Sequence, residues 1–293
     1  MEHEIDQAAA LAIVRCAYAK QVLAAAGVED TRVEAAFAAV RREDFLGAGP
    51  WPIFRWLRDY VATPTADPVY LYTDDLVGIV PDKRLNNGQP SLHALLIARA
   101  GIRDGDHVVH VGAGVGYYTA IMAHLAGATG RVTAIELEPE LAARAQANFA
   151  TAANVRVVAG DGTAAAFDRA DVIYVNAGAT RPAGTWLDGL ADGGRLILPL
   201  TTDQGFSANE PAAMARRGAI FRITRQGDAF HARWISRVAI FRCESARDAA
   251  SEAALAAAFA KGGWERVTRL YRGDDVPAER CWLRAPGWCL AYE

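Results

Sequence analysis

The sequence predicts an α/β fold with a doubly wound, mostly parallel sheet and an antiparallel hairpin at its edge. Three observations support this prediction. Short apolar runs alternate with helical stretches from about residue 102 onward. A glycine-rich segment directly follows the first of these runs. Two further apolar runs, at 220–225 and 230–241, flank Gly227-Asp228, which is typical hairpin-turn chemistry.

The elements of the alternating region follow from apolar runs bounded by turn residues. Strands are predicted at 108–111, 131–136, 155–158, 171–176 and 196–200. Helices are predicted between them at 117–126, from Pro139, which is a favoured first helical residue, and at 183–190. We expect Gly193 and Gly194 to turn the chain into the last of these strands.

The N-terminal part has a different pattern. An alanine-rich run at 5–26 has apolar positions at helical spacing and ends at Gly27. Thr31 and Glu34 have the spacing of a capping box, which predicts that a second helix begins there. Prolines and aromatic residues between 47 and 68 predict an irregular, packed connector.

These patterns predict three parts of the chain. An N-terminal helical segment and connector take up 1–68, the α/β domain takes up 69–245, and a C-terminal extension takes up 246–293. In the extension, an alanine-rich run at 248–261 predicts a helix, and the last thirty residues, which are rich in tryptophan, predict added strands.

Composition argues against several classes of protein. With 31 basic and 34 acidic residues the formal net charge is −3, which gives no general attraction to nucleic acid or to an anionic membrane. No uninterrupted apolar run approaches the roughly 18 residues of a membrane span, and the acidic N-terminus is unlike a signal peptide. No cysteine or histidine cluster has metal-ligand spacing, so no metal is predicted. Cys281 and Cys289 can be neighbours in a C-terminal hairpin, but buried free thiols are favoured. We expect a cytoplasmic protein.

The glycine-rich segment is Gly112-Ala113-Gly114-Val115-Gly116, between a predicted strand and a predicted helix. Glycines there allow a tight turn and close approach of a ligand, and the helix N-terminus favours a polar or anionic group. A dinucleotide fingerprint needs a glycine at 117, where this chain has Tyr117. The pattern suits a ligand without a pyrophosphate, and S-adenosylmethionine is such a ligand. A nicotinamide cofactor and a fold without a ligand remain the alternatives.

Two carboxylates follow the next predicted strands. Glu136 ends the second strand, about 20 residues after the glycines, where an acidic side chain can accept from both ribose hydroxyls. Asp161 follows the third strand and can accept from the exocyclic amine of adenine. These positions share the ligand-binding edge of a parallel sheet. The predicted cofactor-binding residues are His110, Gly112, Ala113, Gly114, Val115, Gly116, Tyr117, Glu136, Leu137, Asp161, Gly162 and Asn176.

The run 108–148, together with Gly160-Asp161-Gly162 and the segment 193–200, resembles the protein-L-isoaspartate O-methyltransferase family. Upstream, 40–45 is similar to that family's V-P-R-E-x-F segment and 72–74 to its Y-E-D. The resemblance covers about 30–245. It implies the Rossmann-like S-adenosylmethionine methyltransferase fold, an acceptor loop at 72–91, and carboxyl O-methylation of a protein or peptide, either of the isoaspartate-repair type or by a diverged relative.

The acceptor loop departs from the family pattern. Gly88 stands where the family has the serine that lies beside the transferred methyl, and the spacing from Asp74 is about two residues longer. His93 is the one plausible base near the loop, although a core or surface histidine is favoured. The candidates for orienting an acceptor by hydrogen bonds, which are equally good turn formers, are Asn86, Asn87 and Gln89.

A second departure is His110, which replaces an acidic residue that in the family helps to hold the methionine amino group. A neutral imidazole can accept a hydrogen bond from that amino group but lacks the carboxylate's charge. The alternative interpretation is that His110 binds no ligand and is a strand-end histidine bonded to a backbone partner. A small-molecule O- or N-methyltransferase, or a cofactor-binding protein without turnover, therefore stays open. Nucleic-acid methylation is disfavoured, because Asn176-Ala177-Gly178-Ala179 lacks the N/D-P-P-Y/F motif. The sequence leaves the acceptor and the oligomeric state open.

Overall fold

The structure is a computed structural model that describes residues 2–55, 58–83, 85–203, 217–240, 242–273 and 275–293. The chain forms two compact units. The first comprises Met1–Gly105, Ala113–Val132 and Glu138–Val157, and the second comprises Asp106–Gly112, Thr133–Leu137 and Val158–Glu293. The domain boundaries at 68 and 245 stay predictions.

Eight α-helices lie within the described residues. They are α1 (Glu2–Ala26), α2 (Thr31–Ala39), α3 (Glu43–Leu46), α4 (Pro90–Ala100), α5 (Tyr117–Ala126), α6 (Pro139–Asn148), α7 (Gly184–Gly189) and α8 (Ala249–Lys261). The helices predicted at 5–26, 117–126, from Pro139 and at 248–261 are confirmed.

Fourteen strands lie within the same residues. They are β1 (Pro52–Arg55), β2 (Asp59–Ala62), β3 (Gly78–Val80), β4 (Leu85–Asn86), β5 (His107–Val111), β6 (Arg131–Glu136), β7 (Val155–Ala159), β8 (Ala170–Val175), β9 (Leu190–Thr201), β10 (Gly218–Gln226), β11 (Ala229–Arg237), β12 (Arg269–Arg272), β13 (Cys281–Ala285) and β14 (Trp288–Ala291). Antiparallel pairs form between β1 and β2 and between β3 and β4.

In the described part of the chain, the main sheet has ten strands in the order β13-β14-β12-β11-β10-β9-β8-β5-β6-β7. Strand β8 pairs in parallel with both β5 and β9. From β9 to β13 every neighbouring pair is antiparallel. The α/β fold class is confirmed, and the antiparallel edge is larger than the predicted hairpin because β12, β13 and β14 extend it. The predicted strand end at Phe241 lies outside the described residues.

The first unit corrects two sequence predictions. Asp30 caps α2, since its carboxylate accepts from the backbone amides of Arg32 and Val33; Thr31 is the first helical residue rather than the cap. The connector expected to be irregular contains the β1–β2 hairpin. Pro52 is tolerated because it is the first residue of its strand, a position where proline commonly occurs.

Helix α1 contains the one segment among the described residues that is long and apolar enough to cross a membrane. This segment, Ala8–Ala26, has a mean hydropathy of 1.3, and 22% of it is buried. Arg15 and Lys20 interrupt its apolar run. The Arg15 guanidinium donates to the carbonyl of Ala38 over 3.2 Å, so this charge is bound within the first unit.

The second unit corrects the turn predicted at Gly193 and Gly194. Both glycines lie inside β9, which begins at Leu190. The register between β8 and β9 jumps from Ala170↔Leu190 to Val172↔Arg195, so the additional residues of β9 form an irregularity inside the strand. Gly193 has φ +74°, a backbone conformation that favours glycine.

The C-terminal extension adds buried residues to the core of the second unit. Its three tryptophans, Trp264, Trp282 and Trp288, are all buried there. The prediction of added strands is confirmed by β12, β13 and β14. Cys281 and Cys289 are buried free cysteines on neighbouring strands, with their sulfur atoms 2.6 Å apart.

Candidate functional site

The glycine-rich turn begins at the carboxyl end of β5, whose five residues are all buried. Gly112 has φ +76°, and a Cβ at this position would lie 3.2 Å from the carbonyl oxygen of Asn176. The Asn176 side-chain amide donates to the Gly112 carbonyl over 3.3 Å, and its backbone amide donates to Val111 over 2.8 Å. Asn176, predicted to bind cofactor, therefore holds the first glycine of the turn in place.

The remainder of the turn belongs to the first unit. Gly116 precedes α5 with φ +98°, and a Cβ there would lie 2.4 Å from a ring carbon of Phe149. The other predicted residues of this stretch have buried side chains, namely Ala113, Val115 and Tyr117. What these residues can offer a ligand is therefore backbone N–H and C=O groups rather than side chains.

His110 lies inside β5 and is fully buried. Its ring meets that of Tyr174 edge to face, with centroids 5.5 Å apart. Burial lowers the pKa of His110 to about 3, because the charged form loses its hydration. The imidazole is therefore neutral at physiological pH. Its contact with the methionine amino group stays a prediction.

Glu136 and Leu137 lie at the end of β6. The carbonyl of Glu136 accepts from the Gly160 amide over 2.9 Å, which ties this strand end to the segment after β7. Glu136 itself is buried, whereas Leu137 is 46% exposed. A carboxylate beside an exposed apolar side chain is a combination that suits a ligand with hydroxyl groups and a flat apolar ring.

Asp161 follows β7. Its Oδ1 atom accepts three hydrogen bonds: 2.8 Å from the Thr163 amide, 2.9 Å from the Thr163 hydroxyl, and one from the Ser245 hydroxyl. Burial raises the pKa of this carboxyl, but the hydrogen bonds from Ser245 and Thr163 outweigh burial, so that the pKa is lowered. Asp161 is therefore ionised at neutral pH. No sequence signal marked Ser245, which lies 84 residues away.

Gly162 is held between two side chains of the second unit. Its carbonyl accepts from the indole N–H of Trp186 over 2.8 Å. A Cβ at this position would lie 2.3 Å from a methyl carbon of Val111. Gly162 therefore lets the backbone after Asp161 pack closely against the end of β5.

The three candidates for orienting an acceptor differ in what their side chains already bind. The amide oxygen of Asn86 accepts from the Gly88 backbone over 2.8 Å, and its nitrogen donates to Tyr60 over 3.1 Å. The side-chain amide of Gln89 donates to Asp74 over 3.0 Å. Asn87 is 6% exposed, and its side-chain nitrogen has no hydrogen-bond partner among the described residues. Of the three, Asn87 has a buried donor still to be used.

Gly88 and His93 pack against each other in the first unit. Gly88 has φ +76°, and a Cβ there would lie 2.2 Å from Nε2 of His93. The His93 ring is buried and stacks on Tyr118 with ring centroids 3.6 Å apart, and the Tyr118 hydroxyl donates to the Gly88 carbonyl over 3.3 Å. His93 is thus a core histidine, and its imidazole fills the space that a serine at 88 would need.

Two curated relatives illustrate what the sequence is similar to. A protein-L-isoaspartate O-methyltransferase of Rhodopseudomonas palustris is 34% identical over 211 residues, which cover 70% of this chain and 86% of that protein. The enzyme of the same name from Thermotoga maritima is 29% identical over 197 residues, which cover 65% of this chain and 56% of that protein. For three further relatives, the matched part of this chain covers 52% to 61% of the relative's length.

Two solved structures share the fold. A protein-L-isoaspartate O-methyltransferase has a TM-score of 0.61 at 22% identity, covering 88% of this chain and 74% of that chain. A putative protein-L-isoaspartate O-methyltransferase from Plasmodium falciparum, in complex with S-adenosyl-L-homocysteine, also has a TM-score of 0.61, at 18% identity, and covers 78% of this chain and 97% of that chain. The family model for protein-L-isoaspartate(D-aspartate) O-methyltransferase matches residues 19–210. This chain belongs to the protein-L-isoaspartate(D-aspartate) O-methyltransferase family.

Proposed function

We propose that this protein is an S-adenosylmethionine-dependent methyltransferase that methylates a carboxyl group of a protein or peptide. Membership of the family supports the reaction class. The observation that carries the proposal is the set of groups at successive strand ends in the second unit: the Gly112 turn after β5, Glu136 and Leu137 after β6, and ionised Asp161 after β7. The chain spans about half to three fifths of several relatives.

These residues fit the parts of S-adenosylmethionine. The Glu136 carboxylate would accept from the ribose hydroxyls, and the exposed side chain of Leu137 would cover the adenine ring. Asp161 would accept from the adenine amine through Oδ2, because the hydrogen bonds it receives within the described chain all go to Oδ1. When bound, this cofactor supplies a methyl group on a positively charged sulfur. The structure of the P. falciparum relative in complex with S-adenosyl-L-homocysteine supports this assignment by analogy.

His110 makes the proposed cofactor site differ from the family pattern. Because burial lowers its pKa to about 3, this imidazole supplies no charge where the family has an acidic side chain. We expect the methionine amino group to be held by backbone carbonyls of the turn and by a neutral acceptor instead.

The acceptor chemistry needs little from the protein if the nucleophile is a carboxylate. A carboxylate with an ordinary pKa of about 4 is already ionised at neutral pH, so no general base is required. What the protein supplies is position, and an error of about 1 Å can cost a hundredfold in rate. We assign this positioning to the amide of Asn87, whose buried donor is unused within the described chain.

A small-molecule O- or N-methyltransferase is the second candidate, and His93 favours it. Its Nε2 lies beside Gly88 in the loop where family members place a serine hydroxyl. A hydroxyl or amine nucleophile, unlike a carboxylate, has a proton to lose, and an imidazole can accept it. For either candidate we propose a cytoplasmic protein with no nucleic-acid or membrane partner, in line with its near-neutral charge.

The test is methyl transfer from radiolabelled S-adenosylmethionine to an isoaspartyl peptide, the matching aspartyl peptide and a cell lysate, measured side by side. We expect weak or absent transfer to the isoaspartyl peptide, because His93 replaces the serine hydroxyl in space, together with transfer to protein in the lysate. Label that enters only small molecules would favour the second candidate. No transfer to any fraction, despite cofactor binding, would leave a binding protein without turnover.

A further inference from the structure

Ser245 comes from a region of the chain beyond the part that the family model matches. It lies in a short 3-10 turn, Glu244–Ala246, after the β10–β11 hairpin. The turn is fixed to the segment after β8: the Cys243 amide donates to Gly178 over 2.9 Å, and the Thr180 amide donates to Ala246 over 2.9 Å. Ser245 is therefore carried by an anchored backbone.

The hydroxyl of Ser245 donates to Oδ1 of Asp161. The other two bonds to this atom come from Thr163, two residues along the chain, and are local turn contacts. Ser245 is 84 residues away and supplies the one long-range hydrogen bond that this carboxylate receives within the described chain. With three donors on Oδ1, the second oxygen, Oδ2, accepts none from the described residues. The carboxylate is consequently held in one orientation with one oxygen left for a ligand.

We propose that Ser245 is a positioning residue that makes the site selective for a 6-aminopurine nucleoside. It holds Asp161 so that Oδ2 accepts from the exocyclic amine, and it touches no part of the ligand itself. This inference rests on the proposed function, since it assumes that Asp161 binds the adenine of S-adenosylmethionine.

The expected selectivity follows from the chemistry of the carboxylate. An ionised carboxylate only accepts hydrogen bonds, so a 6-amino group satisfies Oδ2 while a 6-oxo group places one acceptor against another. A hydrogen bond to a charged group contributes about 1.5–3 kcal/mol, which corresponds to roughly 10- to 100-fold in affinity. Without Ser245, Asp161 is oriented only by its local turn, and part of this discrimination is lost.

The test is calorimetric titration of this chain with S-adenosylhomocysteine and with its 6-oxo analogue, S-inosylhomocysteine. The wild type should prefer the amino compound by at least about tenfold. Ser245→Ala should lower the affinity for the amino compound roughly five- to tenfold and change the affinity for the oxo compound less than about twofold. Ser245→Thr, which keeps the hydroxyl, should restore the preference. Ser236→Ala, which removes a buried hydroxyl of β11 that has no hydrogen-bond partner within the described chain, is the matched control.

A double-variant cycle separates positioning from a general structural role. In an Asp161→Ala background, Ser245→Ala should have no further effect on either ligand. Equal weakening of both ligands by Ser245→Ala, or an unchanged preference, would overturn the inference while leaving the proposed function intact. If the wild type binds neither compound, the proposed function fails and this inference fails with it.

Discussion

The strand ends of the second unit and the acceptor loop of the first unit are built in different ways. At the strand ends, backbone hydrogen bonds of the sheet place the segments of Gly112 and Asp161, and side-chain hydrogen bonds from Asn176, Thr163 and Ser245 then hold these two residues. In the acceptor loop, the shape depends on which side chain occupies one small volume, since His93 fills the space beside Gly88. The first arrangement follows from the geometry of a parallel sheet, whereas the second depends on the packing of individual side chains. A family can therefore keep its cofactor groups while its acceptor pocket changes.

The largest expected effect concerns acid stability at the strand-end region. His110 has its folded-state pKa lowered to about 3, against 6.5 for an exposed histidine, so between these pH values the unfolded chain binds one more proton. The neutral imidazole's contribution to the free energy of unfolding is fully present above pH 6.5. It is lost as the pH falls toward 3, and the loss reaches up to roughly 5 kcal/mol. His110→Leu should therefore flatten the dependence of unfolding free energy on pH in this window. Denaturant titrations at several pH values measure this, with exposed His124→Gln as the control.

The second prediction tests the acceptor loop. Gly88→Ser alone should destabilise the protein by about 2–5 kcal/mol, because its Cβ meets His93 at 2.2 Å and its φ is positive. Because Gly88→Ser also destabilises the protein, the activity of this variant does not by itself measure the effect of the missing hydroxyl. Gly88→Ser combined with His93→Ala removes the collision and should recover part of the stability in the same denaturant titration. Recovery of isoaspartyl methylation in the double variant would show that the activity is limited by the imidazole in place of the serine hydroxyl. A Gly88→Ser variant as stable as the wild type would contradict the packing argument.

The third prediction returns to the strand ends. Glu136→Ala should weaken the binding free energy of S-adenosylhomocysteine by about 2–3 kcal/mol, since two charge-assisted hydrogen bonds are lost and partly replaced by water. Calorimetry measures the change, and thermal unfolding checks that the variant stays folded. Glu140→Ala, on the exposed first turn of α6, is the matched control. Normal binding by Glu136→Ala would show that the ribose partner is assigned wrongly.

The smallest expected effect concerns Asn87. Asn87→Ala should lower kcat/KM for the acceptor by roughly tenfold, which is about 1–2 kcal/mol, and leave S-adenosylhomocysteine binding unchanged. Because the side-chain nitrogen of Asn87 has no hydrogen-bond partner within the described chain, its removal breaks no hydrogen bond there and should not reduce stability. Gln89→Ala, whose amide is bound to Asp74, is the comparison. An equal loss of activity in both variants would argue that the loop as a whole, rather than Asn87, orients the acceptor.

The same division describes what the sequence could predict. Apolar runs and their spacing predicted β5, β6, β8 and the helices between them, because burial and periodicity are local properties. They placed Glu136 and Asp161 at strand ends for the same reason. Ser245 and the collision of His93 with position 88 could not be predicted, since both depend on side chains brought together by tertiary packing. The edge strands β12–β14 were predicted only as added strands, because β12 joins the main sheet through β11, from which α8 separates it along the chain.

The decisive measurement is calorimetric titration of this 293-residue chain with S-adenosylhomocysteine and with NAD. We expect binding of S-adenosylhomocysteine, no binding of NAD, and weakened S-adenosylhomocysteine binding in both Glu136→Ala and Asp161→Ala. Binding of NAD with no response to S-adenosylhomocysteine would contradict this expectation.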